Sequence, residues 1–404
     1  VISMRYQPRL KNGELVKLSW SLNLYSRVNP VMWPRKDNLT ARERYIDKFL
    51  ILLAILIHIF QATGDALYLL NNVKDVEEFS VGIPTALLQV EGIVRYLESL
   101  QYRDELKQLL KRFYRSIYVP QESDQRVFSQ ISRHLIGPRV ITVLYVATIL
   151  NYTQEFVVNI IAGRRELVYK QDYFFDVTRM PTYIIVIAIN FWIGILIVSM
   201  LFGDLNLLAE LLMHLNACYR QLSNDLRSAA SHLLESEDTT KIAADYRREL
   251  IKVLKRNMDL NDFAANLDKL FTFRLFVSFA IAAILLCVLL FISYKTPTDH
   301  MVFIFWFISK FIEQLTFGYL GSVIYETTNK LDVMYYCGGW EQIVHRSDDV
   351  QENIKLMKLV ILSIELNSTP FSLTGLKYFS VTLTSAVKII QGAFSYFTFL
   401  TSMS

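Results

Sequence analysis

A stripe of polar side chains near the end of the sequence has the residue types and spacing that ion conduction requires. It consists of Thr384, Lys388, Gln391, Ser395, Thr398 and Ser402. Intervals of three and four residues place these side chains on one face of a helix. Polar groups on a membrane helix must meet water, ions or another helix, because an unpaired polar group is costly in lipid. Two interpretations stay open from the residues alone: a helix–helix seam held by hydroxyls, or the lining of a pore.

Motifs of catalysis and cofactor binding do not occur in the sequence. It contains no HExxH, P-loop or GxSxG pattern, and the three cysteines and six histidines are too scattered to predict a disulfide framework or a metal site. We therefore expect neither an enzyme nor a bound cofactor. The basic segments are typical of the inner side of a membrane protein, and not of a nucleic-acid surface.

Long apolar runs are the elements that must position the stripe. The chain has 404 residues, of which 52% are hydrophobic and 20% charged, and several runs reach the length of a membrane span. The pattern predicts an all-α membrane protein with seven transmembrane helices that extend into a cytosolic anchor region. The last span is expected from Gly375 to Ser404, a helix of about 28 residues, after a helix break at Asn367–Pro370.

These runs divide the chain into six parts. They are a cytosolic N-terminal segment (1–45), transmembrane helices 1–4 (46–214), a cytosolic helical extension (215–270), transmembrane helices 5–6 (271–325), a cytosolic anchor with the first part of helix 7 (326–369), and the terminal helix (370–404).

The distribution of Lys and Arg predicts the orientation. Of 42 such residues, 33 fall in the N-terminal segment and the loops on its side of the membrane, and six fall in the opposite loops. Because positive charge stays in the cytosol, the N-terminus is expected inside and the C-terminus outside. Within the apolar runs, Lys310 and Glu313 have the spacing of a structural ion pair on one helix, and Asp204 is expected where the fourth helix leaves the lipid.

The final segment carries a family resemblance. Residues 395–400, Ser-Tyr-Phe-Thr-Phe-Leu, together with the predicted topology, resemble the last helix of the insect odorant receptors, and the stretch from Gly375 to Leu383 looks like its beginning. The Gln-Phe ending of the related gustatory receptors is absent.

The resemblance implies a function and a gate. Receptors of this kind are ligand-gated, nonselective cation channels in which a tuning subunit assembles with co-receptor subunits in a heterotetramer. The last helix lines the pore, and the aligned constriction falls on Phe399 and Met403. Pore or gate residues implied here are Phe399, Met403, Ser402, Thr398, Ser395 and Gln391. Ser402 stands where the co-receptor usually has Gln, which favours a tuning subunit, whereas Lys388 would oppose cation flow.

The resemblance also implies a ligand pocket in the outer half of the helix bundle. The candidate odorant-binding residues are Thr85, Leu88, Tyr145, Thr148, Tyr152, Asn190, Phe191, Gly194, Phe303 and Trp306, with Tyr173 and Phe174 as a lid. The aromatic content predicts a small aromatic or heteroaromatic volatile. The expected location is the plasma membrane of an olfactory neuron, with lipid, permeating cations and co-receptor subunits as partners.

Three alternatives remain beside this interpretation. A gustatory-type homotetramer is the nearest. A G-protein-coupled chemoreceptor requires an extracellular N-terminus, which the charge distribution opposes. A secondary transporter predicts inverted repeats with matched helix breaks, and the sequence contains a single such break near Pro370.

Overall fold

The computed structural model describes residues 19–29, 40–177, 179–235, 241–295 and 301–403; the side chains of Glu155, Met301 and Met403 lie outside this description. The helices are α1 Trp20–Val28, α2 Ala41–Asn71, α3 Val76–Gln101, α4 Arg103–Ser116, α5 Gln125–His134, α6 Ile136–Ile161, α7 Met180–Glu235, α8 Ile242–Lys295, α9 Met301–Thr328, α10 Leu331–Tyr336, α11 Trp340–Arg346, α12 Val350–Leu366 and α13 Leu383–Met403. Thr374–Gly375 (β1) and Phe379–Ser380 (β2) form an antiparallel hairpin.

Local signals explain where several helices begin. The Thr40 hydroxyl and the Glu43 carboxylate form a reciprocal capping box at the start of α2, which satisfies backbone N–H groups that have no partner within the helix. The carboxylates of Asp75, Asp124 and Asp349 accept hydrogen bonds from the first turns of α3, α5 and α12. A carboxylate there is also favoured by the helix dipole.

Within the part of the chain that the structure describes, four helices are long and apolar enough to cross a membrane: α2, α6, α7 and α8. The predicted second, sixth and last runs lie on α3, α9 and α13. Helices α7 and α8, with 56 and 54 residues, are each about 80 Å long, far more than the ~30 Å hydrocarbon core of a bilayer. They therefore carry the charged segment 215–270 as continuous helix on both sides of residues 236–240.

The bundle has two ends. The loop end contains the turn between α2 and α3 and the loop 162–179. The anchor end contains α4, α5 and α10–α12, which pack against the far halves of α7 and α8. The core is densest where α7 approaches the anchor end: from Ile197 to Asn216, every side chain except Glu210 is buried. A helix that is buried on all sides is central to its domain, so this stretch of α7 lies at the centre of the bundle.

The last helix is shorter than the sequence predicts, because it begins at Leu383 and not at Gly375. Leu376 and Lys377 both have positive φ, 50° and 61°, and form the centre of a turn closed by Tyr378 N–H to Gly375 C=O at 2.9 Å. This turn reverses the chain, as in a type I′ hairpin. Two consecutive left-handed residues cannot continue a right-handed helix.

Side chains on α8 hold the hairpin in place. Asp268 accepts hydrogen bonds from the backbone N–H of Thr374 at 2.7 Å and from its hydroxyl at 3.0 Å. The Thr272 hydroxyl accepts from Leu376 N–H at 2.7 Å. These contacts stabilise a turn that non-glycine residues adopt at some cost. The same contacts fix the point at which α13 starts.

A glycine on α9 allows α13 to start close to it. A Cβ at Gly321 would lie 1.9 Å from the carbonyl oxygen of Val381, so only glycine permits this approach. Farther along α13, Ala386, Ile390 and Ala393 are buried on the side that packs against α8 and α9. Small side chains at such positions let helices approach closely in membranes.

Candidate ligand cavity and channel helix

The polar stripe of α13 faces away from the rest of the chain. All six of its residues are exposed: Thr384, Lys388, Gln391, Ser395, Thr398 and Ser402. The buried face of α13 is formed by small and aliphatic residues, so the polar residues do not form a seam with the described helices of this chain. The stripe is therefore available to a partner subunit or to water.

Two hydroxyl groups of this stripe donate to carbonyls of their own helix. Thr398 Oγ1 donates to the Ser395 carbonyl at 2.8 Å and Ser402 Oγ to the Phe399 carbonyl at 2.7 Å. Phe399 lies between them and is 59% exposed, which is unusual for a large apolar side chain unless another surface covers it. The side chain of Met403 lies outside the described residues.

A first cavity, here called the inner cavity, lies among α3, α6, α7, α9 and the loop 162–179. It brings together seven of the predicted ligand residues: Leu88, Tyr145, Thr148, Tyr152, Phe191, Gly194 and Trp306. Its volume is about 30 Å³, well below the roughly 150 Å³ that admits benzene in an engineered apolar cavity. Side chains must therefore move before an aromatic molecule enters.

A second cavity, the outer cavity, lies beside the first toward the loop end and has a volume of about 70 Å³. Thr85 and Phe303, predicted from the sequence, line it, and Tyr152 lines both cavities. Val168 and Tyr169 of the loop also line both. The two cavities are therefore neighbours that share one wall.

Tyr169 is the residue that the sequence reasoning missed. A Cβ at Gly194 would lie 2.1 Å from Tyr169 Oη, so the hydroxyl rests directly on the backbone of α7 at the single hydrogen of glycine. The sequence contains a signal for it, because Tyr169 lies four residues before Tyr173 in a segment rich in aromatic residues.

The structure does not bring Tyr173, Phe174 or Asn190 to either cavity. Tyr173 stacks on Phe60 of α2 with ring centroids 4.8 Å apart, and Phe174 is 84% exposed. Asn190 accepts a hydrogen bond from Gln61 of α2. These contacts bind the loop and α7 to α2, a structural role that spacing within one segment could not reveal.

A buried charge network lies one helical turn from the inner cavity toward the anchor end. Its members are Glu91, Arg95 and Glu98 of α3, Asp204 of α7, Arg274 of α8, and Lys310 and Glu313 of α9, and each is at most 5% exposed. The pair predicted from the sequence is present, with Lys310 Nζ 2.8 Å from Glu313 Oε2. Lys310 also contacts Glu91 at 3.1 Å.

The remaining members of the network correct two expectations. Arg95 and Arg274 count among the cytosolic-side loop cations in the sequence, yet both are buried and bind Asp204, at 3.2 and 3.1 Å. Asp204 itself is buried in the helix bundle, and its expected position at the lipid boundary stays a prediction. Arg274 also binds Glu98 at 2.8 Å. A charge at this depth is stable only when it is paired, and the partners are distant in sequence.

One hydrogen bond joins the cavity to this network. Tyr145 lines the inner cavity, and its hydroxyl donates to Glu313 Oε2 at 2.8 Å. Because Glu313 lies on α9, and α9 packs against α13, a continuous set of contacts runs from the cavity wall to the helix that carries the polar stripe. Among the described residues there is no group of His, Cys, Asp and Glu arranged to hold a metal ion.

Comparison with known proteins places this architecture in a family. Residues 75–394 match the family described as 7tm Odorant receptor. The chain belongs to the odorant receptor family. It is 45% identical to odorant receptor 74a of Drosophila melanogaster over 99% of both chains. It is 37% identical to odorant receptor 35a of the same species, over 99% of this chain and 98% of that one.

Solved structures agree in fold. The insect olfactory receptor OR5 from Machilis hrabei, in complex with eugenol, matches this odorant receptor with a TM-score of 0.77 over 96% of this chain and all of the other, at 12% identity. A second structure of OR5 from the same species gives a TM-score of 0.75 over 95% of this chain and 98% of the other, at 12% identity. The protein is therefore a helical membrane protein with the fold of insect olfactory receptors, and the expected family is confirmed.

Proposed function

We propose that this odorant receptor is the tuning subunit of a heteromeric, ligand-gated, nonselective cation channel. The observation that carries the proposal is the two-sided character of α13. One side packs on α8 and α9 through residues such as Ala386 and Ile390. The other side exposes the polar stripe and Phe399. A helix of this kind suits a pore in which water and ions face the polar groups and an apolar ring closes the path.

In this proposal seven helices cross the plasma membrane of an olfactory neuron, with the N-terminus cytosolic and the C-terminus outside. The excess of Lys and Arg on one side supports this orientation. Five of the six parts predicted from the sequence stand as proposed, and in the sixth (370–404) the helix begins at Leu383 after the hairpin. An epitope tag after Ser404 that antibodies reach on intact cells is expected, and a tag reached only after permeabilisation would contradict the orientation.

The proposed ligand is a small aromatic or heteroaromatic volatile that enters the inner cavity. The apolar and aromatic wall supports this class, because such molecules bind by burial and by edge or stacking contacts. The solved complex of OR5 with eugenol makes eugenol a reasonable member of a first panel. The ligand would shift a closed–open equilibrium by expanding the cavity and moving α9 relative to α13.

Lys388 supports a heteromer over a homotetramer. It is exposed within the polar stripe, so four copies around one pore would place four ammonium groups close together. Such a ring would repel permeating cations. Co-receptor subunits that contribute other side chains would dilute this charge.

Current recordings test the proposal. Cells that express the full chain with an insect odorant co-receptor are expected to pass cation current within the panel of volatiles, and cells with the chain alone are not. Current from the chain alone would favour the gustatory-type homomer. Absence of current in both, with normal surface expression, would contradict the proposed channel.

Two lysine variants test the pore. Lys388→Gln is expected to raise the permeability of the open channel to cations relative to anions, because it removes a positive charge from the stripe. Lys377→Gln is the matched control, since Lys377 is exposed in the hairpin turn before α13. If the two variants had equal ratios of cation to anion permeability, Lys388 would not face the pore.

A further inference from the structure

We propose that Asp65 of α2 and Gln171 of the loop 162–179 position Tyr169 and thereby limit the size of the molecules that enter the inner cavity. Neither Asp65 nor Gln171 lines either of the two cavities. The inference rests on the proposed ligand site and adds two residues that determine its size selectivity. It follows from the way in which residues 169–173, here called the strap, are attached to α2.

The loop supplies the part of the cavity wall that no helix holds. The described residues that line the inner cavity belong to α3, α6, α7 and α9, except for Val168 and Tyr169. Backbone hydrogen bonds fix the helical part of the wall, whereas a loop residue is held only by its own contacts. Because the cavity must expand to admit an aromatic molecule, we expect Tyr169 to be a wall residue whose displacement costs little.

The Gln171 side chain joins the strap to α2. Gln171 lies two residues after Tyr169 and is 7% exposed. Its amide nitrogen donates to Asp65 Oδ1 at 2.9 Å, and its amide oxygen accepts from Tyr173 Oη at 2.9 Å. The same amide nitrogen donates to the Gln61 side chain of α2. A shift of the strap away from α2 would therefore break several buried hydrogen bonds together.

Burial makes this attachment stronger than an exposed one. Asp65 is 4% exposed, and a buried carboxyl group without a donor is costly. Asn71 of the same helix also donates to the strap, to Asp172 Oδ2 at 2.8 Å, but this bond is exposed and water can replace either partner. The two attachments join the same pair of elements and differ in burial.

The surface of α2 under the strap fits it closely. This surface is formed by Phe60, Gly64 and Asp65. Asp172 N–H donates to the Gly64 carbonyl at 3.2 Å, and a Cβ at Gly64 would lie 2.9 Å from the ring of Tyr173. That ring stacks on Phe60 with centroids 4.8 Å apart. Among the described residues that line the cavities, none belongs to α2, so this surface acts on the wall from outside, through the strap.

Chemical labelling of the inner cavity tests the inference on the full-length chain reconstituted in lipid. Thr148→Cys places a thiol on a residue that lines the inner cavity. A methanethiosulfonate transfers its alkylthio group to the thiolate, which forms a mixed disulfide and releases methanesulfinate. The readout is the ratio of the labelling rates of the benzyl and the methyl reagent at this position. Peptide mass spectrometry separates it from Cys218, Cys287 and Cys337.

Removal of the buried attachment is expected to favour the larger reagent. Gln171→Leu, made in the Thr148→Cys chain, should raise the benzyl-to-methyl rate ratio about tenfold, because one buried hydrogen bond corresponds to about that factor in an equilibrium. Asn71→Ala is the matched control, since it removes the exposed bond between the same elements, and it should change the ratio by less than about twofold. An unchanged ratio in Gln171→Leu, or an equal rise in both variants, would overturn the inference.

Variants of Asp65 separate positioning from general stability. Asp65→Leu should raise the ratio as Gln171→Leu does, and the double variant should add little, because both changes remove the same hydrogen bond. Asp65→Asn keeps an oxygen acceptor for the Gln171 amide and should retain the ratio of the parent chain. Additive effects in the double variant, or a raised ratio in Asp65→Asn, would overturn the assignment to this pair.

Gly64→Ala disturbs the same attachment without removing a polar side chain. The added methyl group displaces the Tyr173 ring, and alanine is more favourable than glycine inside a helix, so the chain should fold and the ratio should rise. If the leucine variants do not fold, this variant decides, and an unchanged ratio would overturn the inference.

Labelling requires neither a co-receptor nor current, so it separates this inference from the proposed function. A ratio that depends on the strap, in a chain that gives no current, refutes the channel and leaves the size limit standing. Current from the channel, with a ratio that no variant changes, refutes the size limit alone.

Discussion

Leu88 and Glu91 lie three residues apart on α3, yet one lines the inner cavity and the other lies in the charge network. The same change occurs on α7 between Leu201 and Asp204, and on α9 between Trp306 and Lys310. One layer of the bundle is thus held by apolar contacts and the next layer by ion pairs.

The two layers differ in what they tolerate. Apolar contacts have no direction, so the cavity wall can rearrange around ligands of different shape at modest cost. Buried ion pairs need their partners at fixed distances, and a charge left without its partner is strongly unfavourable. The comparison shows that adjacent turns of the same helices have different roles. One turn forms a cavity wall that can adapt, and the next holds the helices in fixed register.

The largest effect is expected when the network loses its central carboxylate. Asp204→Ala leaves Arg95 and Arg274 without their shared partner, and the cost is about 3–5 kcal/mol of folding free energy. We expect almost no folded protein at the cell surface, measured by surface labelling and by the Tm of purified chain. Asp245→Ala is the control, because Asp245 pairs with Arg248 on an exposed surface. If both variants lost folded protein to a similar extent, burial of the charge network would not explain the loss.

A smaller effect, on response and not on folding, is expected in the cavity layer. Gly194→Ala places a methyl group where Tyr169 Oη now rests, so the tyrosine must move and reshape both cavities. We expect a change on the order of tenfold in the ligand concentration for half-maximal current, with normal surface expression. Gly137→Ala is the control, since its nearest neighbour would lie at an ordinary 3.4 Å. Loss of folded Gly194→Ala protein would show that the cavity is as rigid as the network.

A partly exposed ion-pair cluster at the anchor end is expected to stabilise the protein less than the buried network does. Hydrogen bonds from Lys355 and Arg247 lower the pKa of Glu352, which is partly exposed. The pKa of Glu352 is therefore lower in the folded than in the unfolded protein. The ionised carboxylate stabilises the folded state at pH values above the unfolded pKa, and this stabilisation is lost as the pH falls through the folded pKa. Glu352→Gln is expected to lower Tm at neutral pH by less than Asp204→Ala does, and the difference from wild type should vanish in acid. A difference that persists in acid would contradict the ion-pair origin.

The smallest effect is expected from the residue that the sequence places in a lid. Phe174→Ala removes a side chain that is 84% exposed and lines neither cavity, so the dose–response curve should coincide with wild type. Tyr169→Ala is the comparison within the same loop and should shift it. A shift in Phe174→Ala that equals that of Tyr169→Ala would return the lid role to Phe174.

The sequence predicted those features that depend on neighbours along one helix. The polar stripe of α13, the pair Lys310–Glu313 and most of the inner-cavity residues follow from helical spacing or from the family resemblance. The start of α13 was wrong by eight residues, because the turn at Leu376 and Lys377 depends on Asp268 and Thr272 of another helix.

The charge network was visible in part. Glu91, Arg95 and Glu98 recur at intervals of four and three in an otherwise apolar run, which marks one charged face on α3. Their partners on α7, α8 and α9 could not be assigned, since pairing across helices requires the packing of the bundle. For the same reason, counting Arg95 and Arg274 as loop charges treated two buried side chains as exposed.

The two ends of α13 are held by different kinds of contact. Its start is fixed by hydrogen bonds from the hairpin to Asp268 and Thr272 and by the close approach at Gly321, whereas its far end, which carries Phe399, is held by apolar ring contacts such as Phe397 with Tyr294. Twenty-one residues give an arm of about 31 Å. A tilt of about 5° around the hairpin would carry the tip through roughly 3 Å, the scale of an ion's radius plus a water contact. In the proposed channel, a small rearrangement at the hairpin would therefore be enough to move Phe399.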